Sequence, residues 1–283
     1  MASLQRSDGE AELQQRETGA HGGVHSPERP QGAVAAVNLS DIVEGLPPTK
    51  LSYQDDPYLF EAGGTLLRAS REQGDSYYVV LSETIFHPKD GGQPSDVGSV
   101  VGPGYVFRVK KAMKAQGHVV LYGKSEGRPA QGSCLQKVDG EKRRLYMRRH
   151  TAAHLLDGVL EEVTGRSLEP TDSWLGEPCY VSYMGERPSE ETVKAAERRA
   201  NAVIAGGRKV ETYVVKPSEL KELRQFWRPA LEGLSEVRLV RIAGYEPIPC
   251  GGTHVKDLVE VVGVSLRAVQ DLGGAFRLHF DVL

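Results

Sequence analysis

Several features that would sort this chain quickly are missing from it. Three cysteines in 283 residues (Cys134, Cys179 and Cys250) are too few and too scattered for a disulfide framework. No run of eighteen apolar residues occurs, so no helical membrane span is predicted. The first residues lack the apolar core of a secretory signal, and Asp8, Glu10, Glu12 and Glu17 disfavour an organelle transit peptide. A reducing compartment, most simply the cytoplasm, is the expectation. Phe, Trp and Tyr are absent from residues 1–48. That segment cannot bury enough surface to offset its ordering entropy, and it reads as a disordered tail. There is no internal repeat.

A strong charge of either sign is also missing. The 35 Lys and Arg and 38 Asp and Glu leave a net charge of −3, which taken alone argues against a nucleic-acid binder. The sum misleads, because residues 1–50 hold seven acidic and four basic residues. The remainder is neutral overall. Within it, 137–150 carries six basic and two acidic residues, a local strip suited to one phosphate backbone rather than to broad, nonspecific binding.

What is present is ordinary for a globular protein: 39% hydrophobic and 26% charged residues over a length that suits two domains. Residues 49–137 read as β-rich, with strands over 66–69, 77–81, 105–109 and 118–122 separated by Gly, Asp and Pro turns. A small barrel or sandwich fits that pattern. From 138 the period changes. Ala152, Leu155, Leu156, Val159, Leu160 and Val163 recur at helical spacing and predict a helix over 148–164. A second helix is expected over 190–205 with Ser189 as N-cap, and a short one over 218–226. Strands are expected over 210–215, 237–242, 259–266 and 276–282. The fold class is α+β: tail 1–48, β-barrel-like domain 49–137, and α+β domain 138–283.

Two motifs supply metal-ligand chemistry. His150-Thr-Ala-Ala-His154 puts two imidazoles on one helical face. Cys250-Gly-Gly-Thr-His254 lies in a turn between expected strands, where its glycines let Cys250 and His254 converge. Three imidazoles and a thiolate form a ligand set for one Zn2+ per chain. His21 and His25 share the spacing, but they fall in the tail and read as chance. Four protein ligands are usual for structural zinc, whereas catalytic zinc usually keeps a position open, so the count alone does not make an enzyme.

The stretch from Thr84 through Phe86, Gly91-Gly92-Gln93 and Asp96 to Gly98 bends after a strand and exposes backbone N–H groups. It reads either as a glycine-rich hairpin or as a wall for a small polar substrate, with Thr84 and Gln93 offering hydrogen bonds. The strip Lys142, Arg143, Arg144, Arg148 and Arg149 runs into the first metal motif and is read as a surface for a phosphate backbone or a merely solvated turn. Asp157 and Glu161 share the His154 face as outer or solvated groups, and no residue stands out as a general base.

Together these motifs resemble the editing domain of alanyl-tRNA synthetases and the free-standing AlaX-type trans-editing proteins, over about 51–283. The editing domain of threonyl-tRNA synthetases is a more distant likeness. The resemblance implies a zinc-bearing editing domain after the barrel. It implies hydrolysis of serine, and of glycine, from tRNA for alanine, with the tRNA acceptor end as partner and no membrane. It assigns His150, His154, Cys250 and His254 to zinc, and Thr84 to the serine hydroxyl. Gly91, Gly92, Gln93 and Thr253 are expected around the substrate. The attacking group is a zinc-associated water or the substrate's own hydroxyl. The tail has no room for a class II catalytic domain, so aminoacylation is not expected. With no extension after Leu283, the expectation is weak recognition of tRNA for alanine, or recognition of the acceptor stem alone. One departure concerns substrate positioning: the Gln-x-Gly-Ser stretch common in the family is replaced by residues 169–176, without the glutamine. The alternatives are a non-catalytic tRNA-binding module with structural zinc, editing of seryl-tRNA for threonine, and a release-factor-like use of Gly91-Gly92-Gln93.

Overall fold

The computed structural model describes residues 38–220 and 233–283. The His21 and His25 pair, and most of the helix expected over 218–226, lie outside the described residues; a 3-10 turn spans Pro217–Glu219. Composition assigns 38–48 to the tail, whereas the structure seats a helix there, α1 (Leu39–Val43). Asn38 caps it, its side chain accepting from the Ser40 N–H. Ile42 and Val43 pack on Val80 and Val120 of the barrel wall. Two aliphatic side chains on one turn are enough to dock a segment that lacks aromatics. The chain continues through β1 (Lys50–Leu51) and the single turn α2 (Ser52–Asp55).

A closed barrel follows. Its strands are β2 (Glu61–Arg71), β3 (Ser76–Leu81), β5 (Gly98–Gly102), β6 (Tyr105–Ala115), β7 (His118–Glu126) and β8 (Gly132–Val138), with the two-residue β4 (Glu83–Thr84) pairing parallel to β1. The order is β2-β3-β7-β6-β5-β8, closing back on β2. The four strands expected from the sequence fall inside β2, β3, β6 and β7. Side chains alternate inward along the pleat, so Leu66, Val79, Leu81, Val100, Phe107, Val109 and Leu121 fill the interior. Between β4 and β5 the chain leaves the barrel and makes the Gly91-Gly92 turn.

The long helix α3 (Gly140–Thr164) starts eight residues before the expected 148. Asp139 caps it, its side chain accepting from the Lys142 N–H, and Gly165 ends it in a left-handed conformation. Its buried face includes Arg143 and Arg149, two charges that hide the apolar period. Then come β9 (Pro170–Trp174), β10 (Tyr180–Met184), α4 (Glu190–Ala205), β11 (Val210–Val215), β12 (Val237–Ile242), β13 (Ile248–Pro249), β14 (Val264–Asp271) and β15 (Ala275–Val282). Ser189 caps α4 as expected, accepting from the Thr192 N–H at 3.1 Å. The strand expected over 259–266 is displaced: Asp257 caps a 3-10 turn, Leu258–Val261, and the strand begins at Val264.

These strands form two antiparallel sheets, β14-β15-β10-β9 and β11-β12-β13. Leu155, Leu156 and Val159 of α3 and Ala196 and Val203 of α4 share a core with Val240, Phe276 and Phe280. Barrel and α+β layer lie within one compact unit, Val37–Leu283. Among the described residues no helix is long and apolar enough to cross a membrane.

One buried ion pair ties the barrel to α3. Arg143 Nε donates to both oxygens of Asp96, at 3.0 and 3.1 Å, and its other nitrogens reach the carbonyls of Pro57 and Ile85. Neither side chain is more than 1% exposed. Arg143 was expected on a phosphate-binding strip, and that assignment is corrected: it is sealed inside the protein. Arg149 is corrected likewise, because it is buried against Asp281, Glu177 and the carbonyls of Leu175 and Gly176.

Candidate metal centre

The helix and the Cys250–His254 turn bring four ligand groups together. His150 and His154 lie one turn apart on α3, with ring centroids 5.0 Å apart. His254 stands 4.3 Å from the first ring and 4.7 Å from the second. The Cys250 Sγ is 3.4 Å from His150 Nε2 and 3.3 Å from His254 Nε2. The four ligand atoms all lie within 4.8 Å of one another. Bonds of about 2.0 Å to nitrogen and 2.3 Å to sulfur give a tetrahedral N···S edge of about 3.5 Å, close to the two observed separations. The buried His154 Nδ1 has no hydrogen-bond partner, an orphan that a metal bond would satisfy. The donor set therefore fits one metal ion and is compatible with zinc.

The protonation of the ring nitrogens is set by the residues behind them. The Gln93 side chain is fully buried; its Nε2 donates to Thr253 Oγ1 at 2.8 Å, and its Oε1 accepts from the Thr253 N–H at 3.1 Å. The same Oε1 lies 2.9 Å from His150 Nδ1. An amide oxygen only accepts, so His150 carries its proton on Nδ1 and turns a bare Nε2 toward the sulfur. Thr151 does the same for His254. Its single hydroxyl proton goes to the Met147 carbonyl at 2.9 Å. It must then accept from His254 Nδ1 at 3.2 Å, as it does from the Val255 N–H. Gln93 and Thr253 were expected around the substrate; they are corrected to groups that orient a ligand, since each is wholly buried.

Burial keeps these imidazoles neutral, which is the form that ligates. It lowers His150 and His254 well below the usual value and His154 to about 4. Burial also raises the Cys250 thiol to about 11. The Gly252 N–H, 3.3 Å from the sulfur, and the charge of Arg238 act in the opposite direction. Arg238 Nη1 donates to the carbonyls of Cys250 and Gly252, at 2.7 and 3.1 Å, and so holds the turn closed. Gly252 has to be glycine, because a Cβ there would run into the His150 ring. The expected list contained neither Arg238 nor Thr151. Thr151 sits inside the two-histidine motif and could be found there; nothing in the local sequence marks Arg238.

A cavity of about 460 Å³ opens onto the cluster. Its wall includes Gly91, Gly92, His150, His154, Asp157, Thr171, Ser173, Cys250 and Gly251. Gly91 and Gly92 thus line the cavity. Gly92 has a φ of +77°, and a Cβ on it would strike Ser173 of β9, so strand and turn close on each other through a glycine. Thr84 does not line the cavity. It is 1% exposed, donates to Gln136 Oε1 at 3.0 Å and accepts from the Phe86 N–H at 3.1 Å. Its assignment to a substrate hydroxyl is corrected: that oxygen is committed inside the barrel. The cavity's own hydroxyls come from Thr171 and Ser173. Of the basic strip, Lys142 and Arg144 are exposed, Arg144 over the Phe60 ring at 4.6 Å. Arg148 is half-buried and donates to the Val261 carbonyl at 2.9 Å.

A family model described as "tRNA synthetases class II (A)" matches residues 54–142. The "Alanyl-tRNA editing protein AlaX-M" of Methanosarcina mazei is 32% identical over 249 residues, covering 83% of this chain and 97% of the relative. That of Methanosarcina barkeri is 32% identical over 246 residues, covering 83% and 99%. The "Alanine--tRNA ligase" of Ignicoccus hospitalis is 29% identical over 246 residues, 84% of this chain and only 26% of the ligase. The chain spans about a quarter of such a ligase and nearly the whole of an AlaX-M protein.

Proposed function

The chain belongs to the alanyl-tRNA editing protein family of the AlaX-M kind, and from that membership we propose that it proofreads tRNA for alanine in trans. The reaction is hydrolysis of the ester that joins a wrong amino acid to the terminal ribose, with serine the main substrate and glycine the second. The observation that carries this reading is the cavity of about 460 Å³ whose wall holds His150, His154 and Cys250. That volume suits an aminoacyl group with its ribose. His254 completes a ligand set for zinc. Zinc, when bound there, would supply a Lewis-acidic charge beside the substrate ester.

The chain's own residues do the rest. Gln93 and Thr151 hold protons on His150 Nδ1 and His254 Nδ1, which keeps both Nε2 atoms free of protons. The bare backbone of Gly91 and Gly92 forms one wall, and β9 packs against it through Ser173. No side chain in the wall is required as a general base if the substrate's vicinal hydroxyl assists the attacking water. Serine is larger than alanine by one hydroxyl, so exclusion by size cannot spare the correct product. A site that demands a hydrogen bond to that hydroxyl can, since alanine leaves a polar group unpaired at about 1–3 kcal/mol. Ser173, half-buried beside Gly92, is the hydroxyl in place for it; Thr171 is exposed and donates to the Ser182 carbonyl at 3.3 Å.

The test is deacylation of tRNA for alanine charged with serine, glycine or alanine, alongside tRNA for threonine charged with serine. Release of serine from the alanine tRNA, sparing of alanine, and loss of both metal and activity in Cys250→Ala are expected. Serine release no faster than in buffer, with tRNA binding intact, would instead make this a binding module. Faster release from the threonine tRNA would reassign the substrate.

A further inference from the structure

Trp174 ends β9 beside the mouth of the cavity. It shares the outer face of that strand with Asp172, about 6–7 Å away along it, and Asp172 lies in the cavity wall. The Leu175 N–H donates to the Gly92 carbonyl at 3.0 Å, which fastens the end of the strand to the Gly91-Gly92 turn. Gly176 packs so closely on the indole that a Cβ there would meet it at 2.7 Å, and this fixes the ring. The ring is half-buried, and over it rests the ammonium of Lys89, 5.0 Å from the ring. Lys89 is exposed and adjoins Asp90, another residue of the wall. Tyr180, the cross-strand partner of Trp174, gives the contrast. Arg277 covers its ring at 3.8 Å and is itself anchored to Ser182 and Asp172. Among the described residues no carboxylate anchors Lys89, and its long stem can turn aside. Trp174 is therefore an aromatic surface at the rim under a movable, positively charged cover. The hydrolysis as derived above uses neither residue.

The proposed substrate brings a group of matching shape. The cavity of about 460 Å³ suits the aminoacyl group and its ribose, so the base joined to that ribose has to lie at the mouth. Every base has a π-face, and stacking on an aromatic side chain is among the strongest contacts a single-stranded end makes. A cation beside the stack suits the phosphate on the 5′ side of the same nucleoside. Resting on the proofreading reading, we propose that Trp174 is the stacking platform for the terminal purine of the tRNA, with Lys89 leaving the ring as the base arrives. The base then lies on the rim while the ribose and the ester reach into the cavity.

The experiment uses the metal-loaded full chain and two non-hydrolysable probes. One is the 3′-seryl amide of adenosine; the other is the same amide on a ribose that lacks the base. Calorimetry should show wild type binding the adenosine probe at least about tenfold tighter. Trp174→Ala should bring the two affinities within about twofold of each other, and Trp174→Phe, which keeps a ring, should restore most of the preference. The chain has two tryptophans, Trp174 and Trp227, so in Trp227→Phe the emission reports on Trp174 alone. The adenosine probe should quench it. Equal affinities in wild type, a comparison that needs no variant, overturn the inference, and so does binding of neither probe. An unchanged preference in a Trp174→Ala protein that still holds one metal per chain overturns it too, as does emission that the adenosine probe leaves unmoved. The binding arm requires no turnover. A protein that prefers the base through Trp174 yet releases no serine keeps this inference and loses the hydrolase, while one that releases serine without the preference does the reverse.

Discussion

At the scale of single residues, several roles are decided by a partner far away in the chain. Gln93 carries the clearest case: its side chain meets Thr253, 160 positions on, and through the same oxygen fixes the His150 tautomer. Outer groups of this kind typically change metal affinity by about 10–100-fold when removed. Gln93→Leu should therefore raise the zinc Kd by roughly that factor in a chelator competition, with the fold intact by circular dichroism; an unchanged Kd would remove it from the role. Thr84 makes the opposite point. Its hydroxyl is spent on Gln136 and the Phe86 N–H, so Thr84→Val should lower stability by about 1–3 kcal/mol. It should leave the serine-to-alanine ratio of hydrolysis alone. A relaxed ratio in a stably folded variant would return Thr84 to the substrate. Neither role was legible from the residue itself. The Thr84-to-Gly98 stretch announces a turn after a strand, but whether a polar side chain in it faces ligand or core depends on what packs behind it.

Elements were legible where local signals agreed. α4 has an N-cap at Ser189, acidic residues in its first turn and an uninterrupted apolar stripe, and it appears with the expected ends. β11 and β12 do as well. α3 was read short because Arg143 occupies the buried side of its first turns, and a charge in that place is intelligible only with Asp96 in view. The 3-10 turn at Leu258–Val261 displaced a strand for a similar reason, since its apolar residues suit either structure. The Arg143–Asp96 pair yields a prediction about the joint between α3 and the barrel. Breaking a buried pair strands the remaining charge and costs about 3–5 kcal/mol, whereas removing both charges costs less. Arg143→Met and Asp96→Leu should each lower the urea midpoint sharply, and the double variant should recover part of the loss. Additive losses would mean that the two side chains do not act as a pair.

On the scale of the whole molecule, two sums govern behaviour. The first is protons. His87, His150, His154 and His254 are all held neutral, chiefly by burial, His87 at about 3 and His154 at about 4. Their values in the unfolded chain lie near 6.5. Below that pH the unfolded chain takes up protons that the folded one refuses, so stability is present above it and drains away as pH falls toward 4. The metal-free protein should lose Tm steadily between about pH 6.5 and 4.5, and His87→Gln should flatten the slope. A Tm independent of pH across that window would mean that the imidazoles are not held neutral.

The second sum is charge. The basic strip at 137–150 looked like a phosphate track in sequence, yet the fold turns Arg143 and Arg149 inward and ties Arg148 to backbone carbonyls. Lys142 and Arg144 stay exposed, about 9–12 Å along the helix axis from His150. Lys137 is exposed as well, on β8 and paired with Glu61, so at most two cations of the strip on the helix are left to displace counterions from an acceptor stem, and the salt dependence of binding scales with their number at about 0.9 per phosphate neutralised. Lys142→Gln with Arg144→Gln should reduce the slope of log K against log salt by no more than about 2 and weaken binding to every tRNA alike. Whatever slope remains belongs to another face. If the double variant leaves the slope untouched, the strip has no part in holding tRNA, and its charges serve only the joint between α3 and the rest of the fold.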